Sequence, residues 1–411
     1  MLNRLLSPQR LQYLVALCCT CIFIGLVGSR ALASIGMIAL VVTGVFSQSF
    51  TQTLRYYFSR KEMWILSLFF FIVLISGLYS DNKTEWMVWV RIKLPYLFLP
   101  IAMAGLPKLT ERTFTIILYA FVLTMFISAL FILSNYALHY TQITEAFTRG
   151  SAIPMPFSHI RYTLMLAFSF FCAWYLAENK RYLFSPSEKY AQWFFMAFVF
   201  VALHILSVRS GLLALYIGLL FIVYRVVIAQ RRFALGAMAL AILISLPVLA
   251  YYLVPSFHNK VSYMRYDLDQ YRSGQINENS DAGRLLSWRV GMEIWQQHKL
   301  TGIGAGDIRT ETAKVYEQQF AQVPISNRKV PHNQFIWVMA TTGFIGLLLF
   351  LTAFFLPVFT NGYFKYWLFT LLHLILFSSF FTEDTLEEQV GTAFYLIFLL
   401  LFINHFHPAD E

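Results

Sequence analysis

Charge is scarce in this chain. Asp, Glu, Lys and Arg make up 13% of its 411 residues, about half the share that coats a soluble domain. That scarcity excludes a soluble globular fold of this size. Cysteine is scarce as well. Cys18, Cys19, Cys21 and Cys172 are the four, and all fall within apolar runs, so neither a disulfide framework nor a metal-ligand spacing is visible. The apolar runs lack the two-residue alternation of barrel strands. No internal repeat, low-complexity tract or soluble domain interrupts them. What the chain has in quantity is apolar and aromatic side chains: 58% hydrophobic residues, with 41 Phe and 23 Tyr. The remaining fold class is an all-α polytopic membrane protein.

A membrane-crossing helix needs about 20 apolar residues. Twelve stretches qualify: 11–29, 31–48, 64–80, 89–106, 114–135, 159–177, 191–207, 211–229, 233–254, 333–357, 363–381 and 390–405. The first follows Arg4 and Arg10 and precedes Ala31-Leu32-Ala33, which resembles a signal peptide. Its apolar run is too long for one, and a second span follows at once, so it reads as an uncleaved first helix. The chain thus divides into spans one to nine over 1–254, a long loop over 255–332, and spans ten to twelve with a short tail over 333–411.

The net charge of +10, from 31 Lys and Arg against 21 Asp and Glu, reads as membrane topology and contact with anionic lipid, not as a nucleic-acid footprint. With the N-terminus in the cytoplasm, 14 of the 31 basic residues fall on the cytoplasmic side and five in short outer segments. Both termini are then cytoplasmic and the 255–332 loop is periplasmic. That loop is long enough to require helices of its own. Asp281–His298 reads as one, with Asp281 as N-cap and Gly302 beyond its end. Arg284, Trp288, Gly291 and Trp295 share one of its faces.

Four segments carry residues suited to chemistry. Arg209 sits between two apolar runs at the outer mouth of the seventh and eighth spans. Positive-inside bias argues against an idle arginine there, although a snorkelling residue is the ordinary alternative. Arg284 opens the loop helix. Its guanidinium fork matches phosphate oxygens, and two such arginines from different segments would clamp a diphosphate. Arg289 is a weaker candidate for that role, and Trp288 and Asn333 are weaker candidates for substrate contacts. His332, where the loop re-enters the membrane, can accept a proton from a hydroxyl, and Asn333 can cap the incoming helix.

The fourth segment is Leu300-Thr301-Gly302-Ile303-Gly304-Ala305-Gly306-Asp307. Alternating glycines can present N–H groups to phosphate, but no strand precedes them. A tight turn folding the loop over the bundle is the preferred reading, and no dinucleotide site is expected. Asp267-Leu268-Asp269 has the D-x-D form of metal-dependent sugar transferases but lacks nucleotide-binding context, so no metal or other cofactor is assigned. The carboxylates of 383–388 read as a solvated turn, with a second base or a counter-charge to the basic pocket as the alternative.

The His332 and Arg209 segments together resemble the bacterial O-antigen ligase family. Its histidine motif stands here as His332-Asn333, nine residues, then Gly343-Phe344-Ile345-Gly346, and its Arg-x-x-x-Leu motif as Arg209 to Leu213. Gly283-Arg284 with Trp288, and Thr301 to Gly304, are similar to the outer-loop core shared by ligases and polymerases. The resemblance runs from Val201 to Thr360. It implies a periplasmic, inner-membrane glycosyltransferase that passes glycan from an undecaprenyl-diphosphate donor to a sugar hydroxyl of lipid A–core. The reaction would invert the anomeric centre without metal or nucleotide, with His332, Arg209 and Arg284 as the working residues. An O-antigen polymerase and a protein O-oligosaccharyltransferase use the same donor. From a different class, a lipid-linked sugar flippase also fits twelve spans; transporters often show repeats and broken central helices, whereas this sequence shows no repeat and concentrates its polar residues in one outer loop.

Overall fold

The computed structural model describes residues 7–148, 153–272 and 281–407. Among these residues it is entirely helical, with no strand. The helices are, in chain order, α1 (Pro8–Gly28), α2 (Arg30–Ser47), α3 (Phe50–Ser59), α4 (Lys61–Trp64), α5 (Ser67–Ser76), α6 (Lys83–Gly105), α7 (Glu111–Leu138), α8 (Tyr140–Thr148) and α9 (His159–Glu178). They continue with α10 (Glu188–Leu206), α11 (Arg209–Gln230), α12 (Phe233–Leu253), α13 (Pro255–Arg272), α14 (Asp281–Gln297), α15 (Ile308–Gln319), α16 (Gln334–Phe359), α17 (Trp367–Phe380) and α18 (Gln389–Phe406).

Ten helical segments among the described residues are long and apolar enough to cross a membrane. They coincide with ten of the twelve expected spans, and the chain is a multi-pass membrane protein. The expected spans 64–80 and 363–381 are shorter. In the first, α5 is 10 residues, or about 15 Å, although Ile65 and Leu66 keep helical dihedrals and join it to α4. It stops where the 77–80 turn packs Gly77 against the Trp86 ring. In the second, the left-handed residues Asn361 and Gly362 break the chain before Trp367. That leaves α17 at 14 residues, about 21 Å against a hydrocarbon core of about 30 Å.

The chain forms two compact units, each discontinuous in sequence. The first comprises 1–120, 283–370 and 380–411. Its core is α18, in which every residue from Val390 to Phe406 is buried. Small residues set the close helix approaches around it: Gly25 of α1 lies on Ala33 of α2, and Gly44 of α2 lies on the Ala102 backbone of α6. Phe23 stacks on Phe398, and Tyr366 on Phe406. His405 and His407, which look like tail residues in the sequence, are packed instead. His405 stacks on Phe114 at 3.9 Å, and His407 Nδ1 lies 2.9 Å from the Tyr363 hydroxyl.

The expected loop helix is α14, and Asp281 is its first residue rather than a cap in front of it; the Asp281 side chain lies outside the described residues. Beyond it, the chain does something the sequence does not announce. Helix α16 is broken at Gly343, whose φ of 67° and ψ of −165° are open essentially to glycine. The break exposes backbone groups, and the 299–304 segment satisfies them. Ile303 N–H donates to Ala340 O and Gly304 N–H to Thr341 O, at 3.0 and 2.9 Å. Phe344 N–H donates to Lys299 O and Ile345 N–H to Leu300 O, at 2.8 and 3.3 Å. A Cβ on Gly302 or Gly343 would run into the opposing backbone. The glycine segment is therefore the tight turn of the preferred reading, and its partner is the interrupted helix.

The second unit comprises 121–282 and 371–379. In it α9 and α11 run parallel with a fixed offset. Gly211 lies on Thr163, Gly218 on the Phe171 ring, and Arg225 pairs with Glu178 at 2.8 Å. These pairs are 47 or 48 residues apart, so Arg209 at the start of α11 is level with Arg161 in the first turn of α9.

Gly343→Ala should cost about 1–3 kcal/mol from backbone strain alone, with further loss as the 299–304 segment is displaced. Gly28→Ala has open space around it and should be near neutral. Thermal unfolding of the two purified variants in one detergent checks the contrast.

Candidate active site

The imidazole of His332 is placed by its own backbone. Ser287 and Trp288, adjacent on α14, hold residue 332 at both ends. His332 N–H donates to Ser287 Oγ at 3.1 Å, and Trp288 Nε1–H donates to His332 O at 2.8 Å. Gly291, one turn further along, leaves room for Pro331 and Ile336. The face read from the sequence as Arg284, Trp288, Gly291 and Trp295 is thus the docking face of α14 from Trp288 to Gly291. Trp288 is a positioning residue here. Ser287, fully buried, is a partner the sequence gives no reason to choose.

Asn333 caps α16 as expected: its Oδ1 accepts from Phe335 N–H and Ile336 N–H at 3.0 and 3.1 Å. Its Nδ2 donates to Phe381 O at 3.0 Å, which ties the cap to the 383–388 turn. That turn is not solvated. Glu383, Asp384 and Glu387 are all buried. A second, deeper set of contacts fixes it. Gln334 donates to Glu387 Oε1 at 2.6 Å and accepts from Leu386 N–H at 2.8 Å. Lys93 of α6, fully buried, reaches the same Oε1 at 2.9 Å and Leu386 O at 2.6 Å, and its ammonium lies 4.2 Å from the Phe69 ring centroid. A lysine within an apolar span was the available signal for this pair.

The turn so held presents two carboxylates to His332. Nδ1 lies 3.4 Å from Glu383 Oε1 and 3.7 Å from Asp384 Oδ1. Burial disfavours the imidazolium, but the carboxylates of Asp384 and Glu383 override it and raise the imidazole pKa to about 9. With the carboxylates of Glu383 and Asp384 beside it, the imidazole favours its cationic form near neutral pH. One ligand atom from each of His332, Glu383 and Asp384 lies within 4.8 Å of the others. An imidazole with two carboxylates is also a donor set suited to a divalent cation.

Arg284 is half-buried on α14, one turn before Trp288, and its carbonyl accepts from the Ser287 hydroxyl at 2.7 Å. Arg289 is exposed and lies over the Phe320 ring at 5.2 Å, which gives it a structural occupation. The N–H groups of 303–307 are all engaged, with Ala340, Thr341, Ser76, Ser80 and Gly304, so this turn has none left for phosphate. Asp307 accepts from Asp81 N–H and Asn82 N–H, both at 2.8 Å, ahead of α6. The Asp267 side chain lies outside the described residues.

The other unit holds Arg209. It follows Ser207, whose left-handed φ of 54° turns the chain between α10 and α11 and whose hydroxyl donates to His204 O. His204, read from the sequence as satisfied within a helix, contacts Phe200 O and the Tyr216 hydroxyl. Level with Arg209, Arg161 is buried at 3% exposure, with one guanidinium nitrogen 3.3 Å from Ser158 Oγ. Sequence reading counted Arg161 only toward topology. The shared register of α9 and α11 makes it a second cation at this end of the unit.

Fold and site define a multi-pass helical membrane protein with a histidine–carboxylate site at the mouth of a broken helix. Residues 194–351 match the family model described as O-antigen ligase, a stretch that includes Arg209, Arg284, His332 and the Gly343 break. No curated protein matches the chain. The match supports an O-antigen ligase- or polymerase-type membrane glycosyltransferase.

Replacing Glu383 by Gln or Asp384 by Asn should lower the His332 pKa from about 9 toward its ordinary 6.5, as read by NMR titration of the labelled imidazole. The ion pair stabilises the fold fully below about pH 6.5, and its contribution disappears as pH rises through about 9. Thermal stability of the wild type should therefore decline over that window more than that of either variant.

Proposed function

We propose that this chain is an O-antigen ligase of the bacterial inner membrane. It transfers glycan from an undecaprenyl-diphosphate donor to a sugar hydroxyl of lipid A–core on the periplasmic face. The observation that carries the reading is His332, one imidazole set against two buried carboxylates and held by the helix that carries Arg284. In this scheme the acceptor oxygen attacks the anomeric carbon as the carbon–oxygen bond to the diphosphate breaks. The hydroxyl proton goes to His332, and the bonding pair leaves with the diphosphate. Arg209 and Arg284 meet the charge that collects there, because preorganised cations act most strongly where charge develops.

The raised pKa of His332 fits a base whose protonated product is stabilised. As the imidazole takes the proton, Glu383 and Asp384 are already in place to hold the cation. A stronger base transfers more readily but is less often neutral. Transfer should then rise with pH from neutrality toward about 9, where the neutral fraction becomes large. Direct attack on the anomeric carbon inverts it. Residues 255–332 face the periplasm in this topology, and both termini face the cytoplasm.

The test is purified protein with lipid-linked glycan and lipid A–core, with donor binding and product formation measured separately. His332→Ala should lose about 10²–10⁴ in transfer while still binding donor. Arg209→Ala and Arg284→Ala should each lose about 10²–10³, with Lys rescuing only in part because it lacks the planar fork. Transfer should survive EDTA. A rate that is flat or falls between pH 7 and 9 contradicts the base role. A lengthened lipid-linked glycan in place of glycosylated lipid A–core would make the protein a polymerase.

A further inference from the structure

Arg91 is an ionisable residue inside the membrane-spanning helix α6 and is exposed. No hydrogen bond or ion pair from any described residue reaches it. A cation within a span ordinarily pairs with protein groups or with something that enters from the bilayer. Arg91 lines a groove of about 530 Å³ between α2 and α6, otherwise walled by apolar side chains such as Val41, Pro95 and Phe98. The polar members of its lining are Ser34 and Gln389, joined by a 2.6 Å hydrogen bond, and Arg91; Ser34 and Arg91 are the first residues that α2 and α6 contribute to it. The groove therefore has an apolar length and a cationic end, which is the pattern of a lipid with an anionic head.

The cationic end lies level with the acidic turn. Two residues beyond Arg91, on the buried side of α6, Lys93 bonds Glu387, and Gln389 follows that turn directly as the first residue of α18. We propose that this groove seats the isoprenoid chain of a polyprenyl diphosphate, with Arg91 paired to the phosphate esterified to that chain. The proposal rests on the donor reading above. One narrow groove with one cation suits a single-chain lipid, whereas glycerophospholipids carry two chains and lipid A more. The position favours the donor for a chemical reason as well. In a polyprenyl-diphosphate glycan the reacting carbon is bonded to the diphosphate, so the chain must lie beside the site. The reacting hydroxyl of a glycosylated lipid A is separated from its acyl chains by sugars.

The experiment uses full-length protein in nanodiscs and a polyprenyl diphosphate with a diazirine on its second isoprene unit. After irradiation, labelled peptides are mapped by mass spectrometry. The label should fall within 34–42 and 91–99 and resist a large excess of phosphatidylglycerol. Arg91→Ala and Val41→Trp should each reduce it on the order of tenfold, the loss of one charge-assisted contact or of the space for the chain, with Arg91→Lys retaining part. Retention of the probe with label elsewhere, or equal label in the variants, overturns the groove and leaves the donor reading standing. Displacement by phosphatidylglycerol overturns it as well, making the groove a general lipid seat. A wild-type protein that retains no probe at all overturns the donor reading along with it.

Discussion

A helix that breaks within the membrane leaves backbone groups that lipid cannot satisfy, and they must be met by protein. In this chain the break is at Gly343 and the partner is the 299–304 segment of the long loop. Two N–H groups pass in each direction across the break. The loop is thereby not a tether between α12 and α16 but a structural part of the helix it precedes. Everything N-terminal to the break on α16, including the cap at Asn333 and the imidazole before it, is positioned through this exchange and through the hold of α14 on residue 332.

From that anchor the polar interior can be followed outward. Asn333 and Gln334 fix the 381–387 segment from one side, and Lys93 fixes it from the other. Burying Lys93 with Glu387 is costly unless both are well bonded. Here the ammonium has a carboxylate, a carbonyl and an aromatic face around it, and Gln334 shares the carboxylate. The benefit is seen one turn away, where Glu383 and Asp384 are delivered to His332 without solvent to weaken them. A charge pair on one side of the turn thus helps hold in place the carboxylates that raise the imidazole pKa on the other.

The sequence displayed the parts of this arrangement that depend on composition and local spacing. Ten spans, the α14 helix, its docking face and the Asn333 cap follow from apolar runs, the i, i+4 rule and side-chain capping. The two short helices were misjudged because hydropathy averages over the turns that stop them, at Gly77 and at Asn361-Gly362. The acidic turn was read as solvated because four carboxylates in six residues ordinarily are; only Lys93, nearly 300 residues away in sequence, supplies the counter-charge that lets Glu387 be buried. Arg161 was hidden among topology residues, since its level with Arg209 is a property of helix packing. The glycines of 302–306 and of 343–346 were visible as two motifs, but nothing in one-dimensional spacing says that one fills the gap in the other. The family match covers the loop and the broken helix as far as residue 351 and leaves Lys93, Arg161 and the acidic turn outside it.

The central claim is that loop and broken helix form one hydrogen-bonded unit. Hydrogen–deuterium exchange of the full-length protein in nanodiscs tests it most directly, resolved to the amides of Ile303, Gly304, Phe344 and Ile345. Those four should exchange as slowly as the amides in the middle of α18. Exchange at the rate of an exposed loop, with α18 still protected, would contradict the account.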